Sequence, residues 1–307
     1  MGHRVIDYHR SMLVDEVRTS AYRAAITRIV KPGDVVVDIG TGSGILSLFA
    51  CEAGASQVYS IETGLMAGVA QLAARHLGHA DRMRVIRGMS TDVELPQRAN
   101  VLVTETMGSL GLDESMLSFV LDARRRLLTE NAVVIPQRVG LMIAPAEIPA
   151  EYDKFIGWWS EPHYGFDLSP LRVFASNSLL FMNLRPDVEV ARANEIFAVD
   201  LATFDSTLVR GTTTFTAERD AQVHGFAAWF DATLAEGIHV DSRRTQDSSW
   251  KQAFLPLEVP LRVAHGETIF VDVETDDGKS WTWRGRVASE EFHQTTWLST
   301  APYVPAE

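Results

Sequence analysis

Two glutamates, Glu105 and Glu114, stand nine residues apart, and the glycines between them, Gly108 and Gly111, are typical of a loop. Glu105 follows an apolar β-like run, so we expect it at the carboxyl edge of a strand, where open α/β sheets bind ligands. Two carboxylates that face one pocket repel each other unless a cation lies between them. The pair therefore predicts a positively charged ligand, although a loop glutamate taken alone is more often a solvated surface residue.

A second chemical feature is the segment 35–44, VVVDIGTGSG, in which valines lead to Asp38 and then to glycines at every second position. Such glycines allow positive φ angles and let a ligand lie against backbone N–H groups. A dinucleotide fingerprint would need a glycine where Ile45 stands, and the Asp38 carboxylate would repel a pyrophosphate. The pattern favours S-adenosyl-L-methionine, whose ammonium group a carboxylate attracts, over a dinucleotide or an empty structural turn.

The elements that must position these residues alternate between strand and helix. Apolar spacing predicts a helix over residues 8–29. It then predicts strands at 35–39, 58–61, 83–86, 101–104 and 132–135, with helices over 45–53, 68–77 and 115–128. Such alternation is typical of a doubly wound parallel sheet. Glu62 directly follows the second strand, where a carboxylate can accept hydrogen bonds from both hydroxyls of a ribose.

Beyond Pro136 the period changes from helices to strands. Alternating apolar residues predict strands at 139–143, 212–216, 257–263 and 269–273. Pro260 makes the third of these an expected edge strand, and Asp277-Gly278 predicts a tight turn. The fold class is therefore α/β plus β, with an antiparallel second half.

Composition excludes several classes of function. The 307 residues carry a formal net charge of -12, which argues against nucleic acid and fits a cationic substrate. A lone cysteine, Cys51, and nine scattered histidines offer no metal site. No signal segment or membrane span is evident, so we expect a cytoplasmic protein without a membrane partner.

An aromatic segment at residues 151–169, EYDKFIGWWSEPHYGFDLS, has no clean period. One interpretation is buried core. The other is a protruding arm that docks on a second subunit.

Three motifs, VVVDIGTGSGILSLFACEAGA at 35–55, TETMGSLGLDESML at 104–117 and SSWKQ at 248–252, resemble those of the protein arginine methyltransferase family. DEVRTSAYR at 15–23 and YGFDLS at 164–169 extend the resemblance over nearly the whole chain. The family implies a Rossmann-type class I methyltransferase domain, here 1–136. It also implies a β-barrel substrate domain, 137–307, with a dimerisation arm at about residues 151–175, and a head-to-tail homodimer.

The resemblance also assigns roles to single residues. Glu105 and Glu114 match the paired glutamates that clamp the substrate guanidinium. The positions that match cofactor contacts are Arg18, which pairs with the cofactor carboxylate, Glu62, which binds the ribose, and His9, Asp38, Gly40 and Gly42. Thr91 is also expected at the cofactor, but it stands where many members of the family have a glutamate near the adenine.

Other matching positions shape the substrate side. Met12, Met107 and Met116 match methionines that crowd the target nitrogen, although each alone is about as typical of core packing. Ser249 and Trp250 lie in a loop that reads Thr-His-Trp in the family, so Ser249 replaces a histidine that would pair with Asp15.

Further departures concern the substrate side. Thr106 replaces a tryptophan, and only seven residues precede Tyr8, too few for the family's aromatic amino-terminal helix. These losses favour free L-arginine or a small arginine derivative, methylated to N-omega-methyl-arginine with S-adenosyl-L-homocysteine as the second product. Such a protein would resemble enzymes of bacterial natural-product pathways, such as those that begin nitrosourea biosynthesis. The alternatives are a protein or peptide arginine methyltransferase and an inactive module that only binds arginine.

Overall fold

The computed structural model describes residues 2–243 and 248–296. By packing, the chain forms two compact units. The first combines Met1–Val139 with Val199–Ser206 and Asp231–Trp250, and the second consists of Gly140–Ala198, Thr207–Phe230 and Lys251–Glu307. The main segment of the first unit ends at Val139, and the unit also takes in two segments from the second half of the chain.

The amino-terminal segment forms two helices where apolar spacing predicted one. Helix α1 spans Gly2–Val14 and helix α2 spans Glu16–Ile29. Asp15 stands between them and caps α2, because its side chain accepts a hydrogen bond from the backbone N–H of Arg18 at 3.0 Å. The prediction of one helix was wrong because the apolar spacing continues across Asp15, and spacing alone does not register a cap.

The first unit is built on a parallel sheet, as predicted. Its strands are β1 (Val35–Ile39), β2 (Gln57–Glu62), β3 (Met83–Arg87), β4 (Ala99–Thr104) and β5 (Leu128–Ile135), in the order β3-β2-β1-β4-β5. Helices α3 (Ile45–Glu52), α4 (Met66–His76) and α5 (Met116–Arg126) follow β1, β2 and β4, and a 3-10 helix, Ser90–Asp92, follows β3. The central strand β1 is buried on both faces, which is why it reads as a continuous apolar run.

Strand pairing decides where the site lies. β1 and β4 are parallel neighbours, and Ile39 pairs with Thr104. The glycine turn after Ile39 and Glu105 after Thr104 therefore leave the sheet side by side at its carboxyl edge. This is the edge at which open parallel sheets bind ligands.

The second unit is mostly β. Its strands are β6 (Arg138–Ala146), which runs on from the first unit, β7 (Leu180–Met182), β8 (Asn194–Asp200), β9 (Leu208–Thr216) and β10 (Ala221–Ala235). β11 (Ile238–Asp241) belongs to the first unit, and β12 (Gln252–Val263), β13 (Thr268–Asp276), β14 (Ser280–Val287) and β15 (Glu290–Thr295) complete the set. One sheet has the order β7-β12-β10-β6-β8, with β11 beside β10, and the other has the order β15-β14-β13-β9.

The hairpin β13–β14 follows the sequence pattern. Ile269, Val271 and Val273 are buried on one face, as alternation predicted. Asp277 and Gly278 have φ angles of 52° and 67°, which suits the predicted tight turn.

Pro260 was expected to mark an edge strand, and the structure modifies this expectation. β12 pairs with β10 along most of its length, and with β7 at Gln252–Phe254. Pro260 lies between the paired residues Pro256 and Leu261, where the register with β10 shifts. An irregularity of this kind tolerates proline because no ladder hydrogen bond depends on its missing N–H.

The aromatic segment is buried in its first part and exposed in its later part. Helix α6 (Pro149–Phe155) buries Tyr152, and Ile156 after it is also buried. Farther along, Tyr164 is 96% exposed and Phe166 is 68% exposed, before helix α7 (Arg172–Ser176). The buried part agrees with the core interpretation, and docking of the exposed part on a second subunit stays a prediction.

Within the described residues, no helix is long and apolar enough to cross a membrane.

Candidate functional site

The glycine turn between β1 and α3 is covered by two side chains. Gly42 has a φ of 52°, and a Cβ placed on it would lie 2.8 Å from Cε1 of His9. A Cβ on Gly40 would lie 2.9 Å from the Cγ2 methyl of Thr106. The sequence indicated glycine for backbone freedom, and the structure adds that α1 and the glutamate loop lie directly against the turn.

Asp38, at the end of β1, is fully buried in a hydroxyl network. Its Oδ2 accepts hydrogen bonds from Thr41 Oγ1 and Ser47 Oγ, each at 2.6 Å, and Ser47 Oγ also lies 2.6 Å from Ser60 Oγ. Its Oδ1 is buried and has no hydrogen-bond partner among the described residues. Burial raises the pKa of Asp38 to about 6, and the hydrogen bonds from Ser47 and Thr41 oppose this rise.

Glu62, at the end of β2, is held by backbone donors. Its Oε2 accepts a hydrogen bond from the N–H of Gly42 at 3.0 Å, and its Oε1 accepts one from the N–H of Gly64 at 2.7 Å. The carboxylate is therefore fixed beside the glycine turn, and its remaining lone pairs stay available to a further donor.

Arg18 and Glu105 form an ion pair inside the first unit. Arg18 Nη2 contacts Glu105 Oε2, and the two side chains are only 12% and 10% exposed. The Arg18 guanidinium also lies 5.2 Å from the centre of the Trp250 ring, at cation–π distance. Burial lowers the pKa of Arg18, and the negative charge of Glu114 is among those that oppose this change.

Glu114 lies in the same electrostatic environment. The residue keeps solvent contact, but desolvation of its carboxyl raises its pKa. The charge of Asp113 raises this pKa further, and Arg18 lowers it. Arg18 is therefore in contact with Glu105, and its charge also acts on the pKa of Glu114.

The loop between the two glutamates is ordered by Asp113. Asp113 Oδ1 accepts a hydrogen bond from the N–H of Leu110 at 3.1 Å, and the Asp113 carboxyl fills the space where Gly108 would carry a Cβ. The sequence indicated Gly108 as a loop residue, but the role of Asp113 depends on how the loop folds back.

Asp15 and Ser249 meet, although Ser249 replaces a histidine. Asp15 Oδ2 accepts hydrogen bonds from the backbone N–H of Ser249 at 2.7 Å and from its Oγ at 3.1 Å. Trp250 next to it is buried, and its Nε1–H donates to the carbonyl of Met107 at 2.9 Å. The loop thus stays attached to α2 and to the glutamate loop without an imidazole.

The remaining predicted residues lie in different environments. Met107 and Met116 are buried, and Met116, at the start of α5, has no exposed surface. Met12 on α1 is half-buried. Thr91 is exposed, and its hydroxyl lies 3.3 Å from Asp92 Oδ1. For Met116, burial agrees with the core-packing interpretation that the sequence left open.

Two tyrosines near the site were not predicted as site residues from the sequence. Tyr22 on α2 is buried and donates a hydrogen bond to the carbonyl of Thr104 at 3.1 Å, directly before Glu105. Tyr8 on α1 is 61% exposed, and partial desolvation of its hydroxyl, followed by the charge of Glu114, raises its pKa. Tyr22 had only a helical apolar spacing as a signal, and no spacing pattern signals Tyr8.

The described residues contain no group of three or more His, Cys, Asp or Glu side chains that could hold a metal ion.

Comparison with known proteins agrees with this geometry. The family model described as arginine methyltransferase oligomerization subdomain matches residues 137–290, and the model for ribosomal protein L11 methyltransferase matches residues 19–109. Protein arginine N-methyltransferase 1 from Oryza sativa subsp. indica is 35% identical over 279 residues, which covers 85% of this chain and 70% of the rice protein. The chain belongs to the protein arginine N-methyltransferase family.

Other relatives support this membership. Protein arginine N-methyltransferase 1 from Dictyostelium discoideum is 32% identical over 270 residues, which covers 85% of this chain and 79% of that protein. The fold matches that of the Trypanosoma brucei protein arginine methyltransferase 1 enzyme-prozyme heterotetrameric complex with S-adenosylhomocysteine, with a TM-score of 0.85 at 24% identity, covering 94% of this chain and 96% of that chain. As a member of this family, the chain is an S-adenosylmethionine-dependent arginine methyltransferase.

Proposed function

We propose that this arginine methyltransferase modifies arginine side chains in a protein or peptide, and that Glu105 and Glu114 hold the target guanidinium. The observation that carries the proposal is the Arg18 guanidinium, which is paired with Glu105 and lies within the field of Glu114. The chain itself thus provides a guanidinium bound at Glu105, with its charge acting on Glu114. A substrate arginine carries the same group.

The residues at the glycine turn fit the cofactor. The unpartnered Oδ1 of Asp38 is a buried acceptor for an ammonium group, and Glu62 keeps lone pairs for ribose hydroxyls. Gly40 and Gly42 lack the Cβ atoms that would close the turn. S-adenosyl-L-methionine supplies a methyl group on a sulfonium, an electrophile that a nitrogen lone pair can attack.

The two glutamates would make the guanidinium of the substrate, a poor nucleophile, more reactive. A guanidinium keeps its proton up to a pH above about 12, and resonance spreads its lone pairs. Carboxylates on one side concentrate the positive charge there and leave another nitrogen more able to attack. A charge pair 4 Å apart at an effective dielectric near 20 contributes roughly 4 kcal/mol, so two such contacts can supply much of the catalytic effect.

The proton released after methyl transfer also needs an acceptor. Desolvation of its carboxyl and the charge of Asp113 raise the pKa of Glu114. A carboxyl with a raised pKa accepts a proton more readily. We assign this role to Glu114.

The nature of the arginine substrate is the point on which sequence and comparisons differ. The replacements at Thr106 and Ser249 favoured free L-arginine, but the relatives in rice and Dictyostelium are named protein arginine methyltransferases. In addition, Asp15 keeps its partners without the histidine, so Ser249 does not by itself indicate a lost function. We therefore place protein or peptide arginine first and free L-arginine second.

Mass spectrometry of methylated products tests this choice. An arginine-rich peptide and free L-arginine are each incubated with the protein and S-adenosyl-L-methionine, and the same peptide with lysine in place of arginine is the control. We expect the peptide to gain about 14 Da, the mass of one CH₂, for each methyl group added, and only when it contains arginine. Methylation of free L-arginine alone would establish the second candidate, and methylation of neither would contradict the proposal.

We also propose that the chain forms a homodimer through the aromatic segment. The support is the exposure of Tyr164 and Phe166, together with a matching family model whose description names oligomerization. Aromatic side chains exposed at this level are typical of an interface.

The double substitution Tyr164→Ser/Phe166→Ser is expected to convert dimer to monomer, because it removes apolar surface that the partner would bury. Light scattering during size-exclusion chromatography measures the mass. Phe270→Ser, which alters a partly exposed aromatic on β13, is the matched control and should leave the mass unchanged. An unchanged mass for the double variant would refute the arm interpretation.

A further inference from the structure

Among the ion pairs of the described residues, the pair of Arg18 and Glu105 is largely enclosed, and its acid is a residue assigned to the substrate. Only 12% of the Arg18 side chain is exposed, and its ion-pair partner Glu105 is 10% exposed. A buried charge without a partner is costly, so the Arg18 guanidinium needs a carboxylate nearby.

The backbone around this pair is held firmly, while the Arg18 side chain has several rotatable bonds. Asp15 fixes the first turn of α2 through the N–H of Arg18 at 3.0 Å. Glu105 directly follows β4, beside the hydrogen bond from Tyr22 to Thr104. The Trp250 ring, anchored to the carbonyl of Met107 at 2.9 Å, gives the guanidinium an apolar face. The guanidinium can therefore change partner without movement of α2 or β4.

The pair creates a conflict with the proposed function, on which this inference rests. The family resemblance implies that Arg18 pairs with the cofactor carboxylate and Glu105 with the substrate guanidinium, whereas in the structure the two side chains pair with each other. Glu105 Oε2 is engaged, whereas a bidentate grip on a second guanidinium needs both carboxylate oxygens. A second guanidinium at the same acid would also meet the like charge of Arg18.

We propose that Arg18 is an internal competitor for Glu105, and that the carboxylate of the bound cofactor draws Arg18 away and so makes the site ready for a substrate guanidinium. Arg18 is then a positioning residue that links the two binding sites. The link is thermodynamic and reciprocal: cofactor strengthens guanidinium binding, and guanidinium strengthens cofactor binding by the same factor.

The test compares two ligands that differ only in the relevant carboxylate. S-adenosyl-L-homocysteine has the amino-acid carboxylate, whereas S-adenosyl-3-thiopropylamine has the same adenosine, thioether and ammonium without it. Isothermal titration measures the affinity of an arginine-containing peptide for the protein alone and with each ligand at saturation. We expect S-adenosyl-L-homocysteine to raise the peptide affinity by roughly 5- to 150-fold, the usual range of such coupling, and the amine to raise it by less than about twofold.

Arg18→Gln separates competition from structural support. If Arg18 competes, the variant without cofactor binds the peptide more tightly than the wild type without cofactor, and the effect of S-adenosyl-L-homocysteine on peptide binding disappears. If Arg18 only supports the fold, the variant binds the peptide more weakly in every state. Arg18→Lys retains a positive charge at this position and should retain part of the coupling.

The outcomes separate this inference from the function. Equal effects of the two ligands on the wild type, or equal peptide affinity with and without S-adenosyl-L-homocysteine, would overturn the competition while leaving the methyltransferase proposal intact. Failure of the wild type to bind the peptide even with S-adenosyl-L-homocysteine would overturn both. The ligand comparison needs no variant, so it decides the matter even where Arg18→Gln does not fold.

Discussion

The glycine turn and the glutamate loop leave the same edge of one sheet, yet they are built by different means. At the turn, Glu62 accepts two backbone N–H groups, and Asp38 accepts hydroxyls from residues three and nine positions away. At the loop, Glu105 is balanced by Arg18, 87 residues away in sequence. The turn is a local construction, whereas the loop depends on the packing of the amino-terminal helices.

This difference bears on how each side responds to change. Backbone donors cannot move far, so the turn is rigid, and we expect it to respond mainly to changes in side-chain volume. Ion pairs between side chains can exchange partners, so we expect the glutamate loop to respond mainly to changes in charge.

Removal of charge at the loop should have the largest effect. Glu114→Gln keeps the shape of the side chain but removes the negative charge, so we expect turnover to fall on the order of 100- to 1,000-fold. Because the acids held at the glycine turn are Asp38 and Glu62, the affinity for S-adenosyl-L-homocysteine should change by less than about threefold. Steady-state kinetics and titration measure the two quantities. A Gln variant that keeps wild-type turnover would contradict the proposed mechanism.

Added volume at the turn should mainly reduce cofactor affinity. Gly42→Ala introduces a Cβ that would lie 2.8 Å from His9 Cε1, at a φ of 52°. We expect a loss of affinity for S-adenosyl-L-homocysteine of about tenfold or more, since the turn or His9 must shift.

The control for this prediction is Gly78→Ala, which has a φ of 74° and no atom within 4 Å of the added Cβ. Both variants should lose about 1–2 kcal/mol of stability from backbone strain. Equal cofactor affinity in the two variants would show that the contact with His9 is irrelevant to the site.

The pH dependence of cofactor binding should report on Asp38. Burial raises the pKa of this carboxyl to about 6, so it is ionised above pH 6 and increasingly protonated below. An ammonium group needs the ionised form, and we expect affinity to be constant at higher pH and to weaken by about tenfold per pH unit below 6. Titrations of S-adenosyl-L-homocysteine between about pH 5 and about pH 8 measure this change in affinity. Asp38→Asn should bind weakly without this dependence, and an identical pH profile in the variant would assign the proton to another group.

The smallest effects should come from the contact of Asp15 with the Ser249 loop. Asp15→Ala removes the cap of α2 and the acceptor for Ser249, so we expect a loss of about 1–2 kcal/mol in the free energy of unfolding. Ser249→Ala keeps the backbone hydrogen bond at 2.7 Å and should cost less than about 1 kcal/mol. Urea denaturation compares the two, and an equal loss for both would mean that the serine hydroxyl, rather than the cap, holds the loop.

Several features of the site were predictable because they depend on neighbours in sequence. The order of strand, glycine turn and helix follows from a short apolar run and from residues that allow positive φ. The parallel sheet and the turn at Asp277 follow from period and turn chemistry in the same way. The break at Asp15 was missed because apolar spacing passes through it, although the Asp residue itself was a usable capping signal.

Other features had no local signal. Tyr22 read as one more apolar position of a helix, and its hydrogen bond to Thr104 exists only because α2 packs beside β4. The exposure of Tyr164 and the burial of Tyr152 belong to one aromatic segment, and composition does not distinguish them.

The parallel sheet, the glycine turn and the two acids could be identified from the amino-acid sequence, because backbone conformation and residue chemistry act over short distances. The pairing of Arg18 with Glu105, the cover of His9 and Thr106 over the glycines and the contact of Asp15 with Ser249 became visible in the folded chain alone. Charges and side chains distant in sequence choose their partners after the chain has packed, when burial forces each of them to find one.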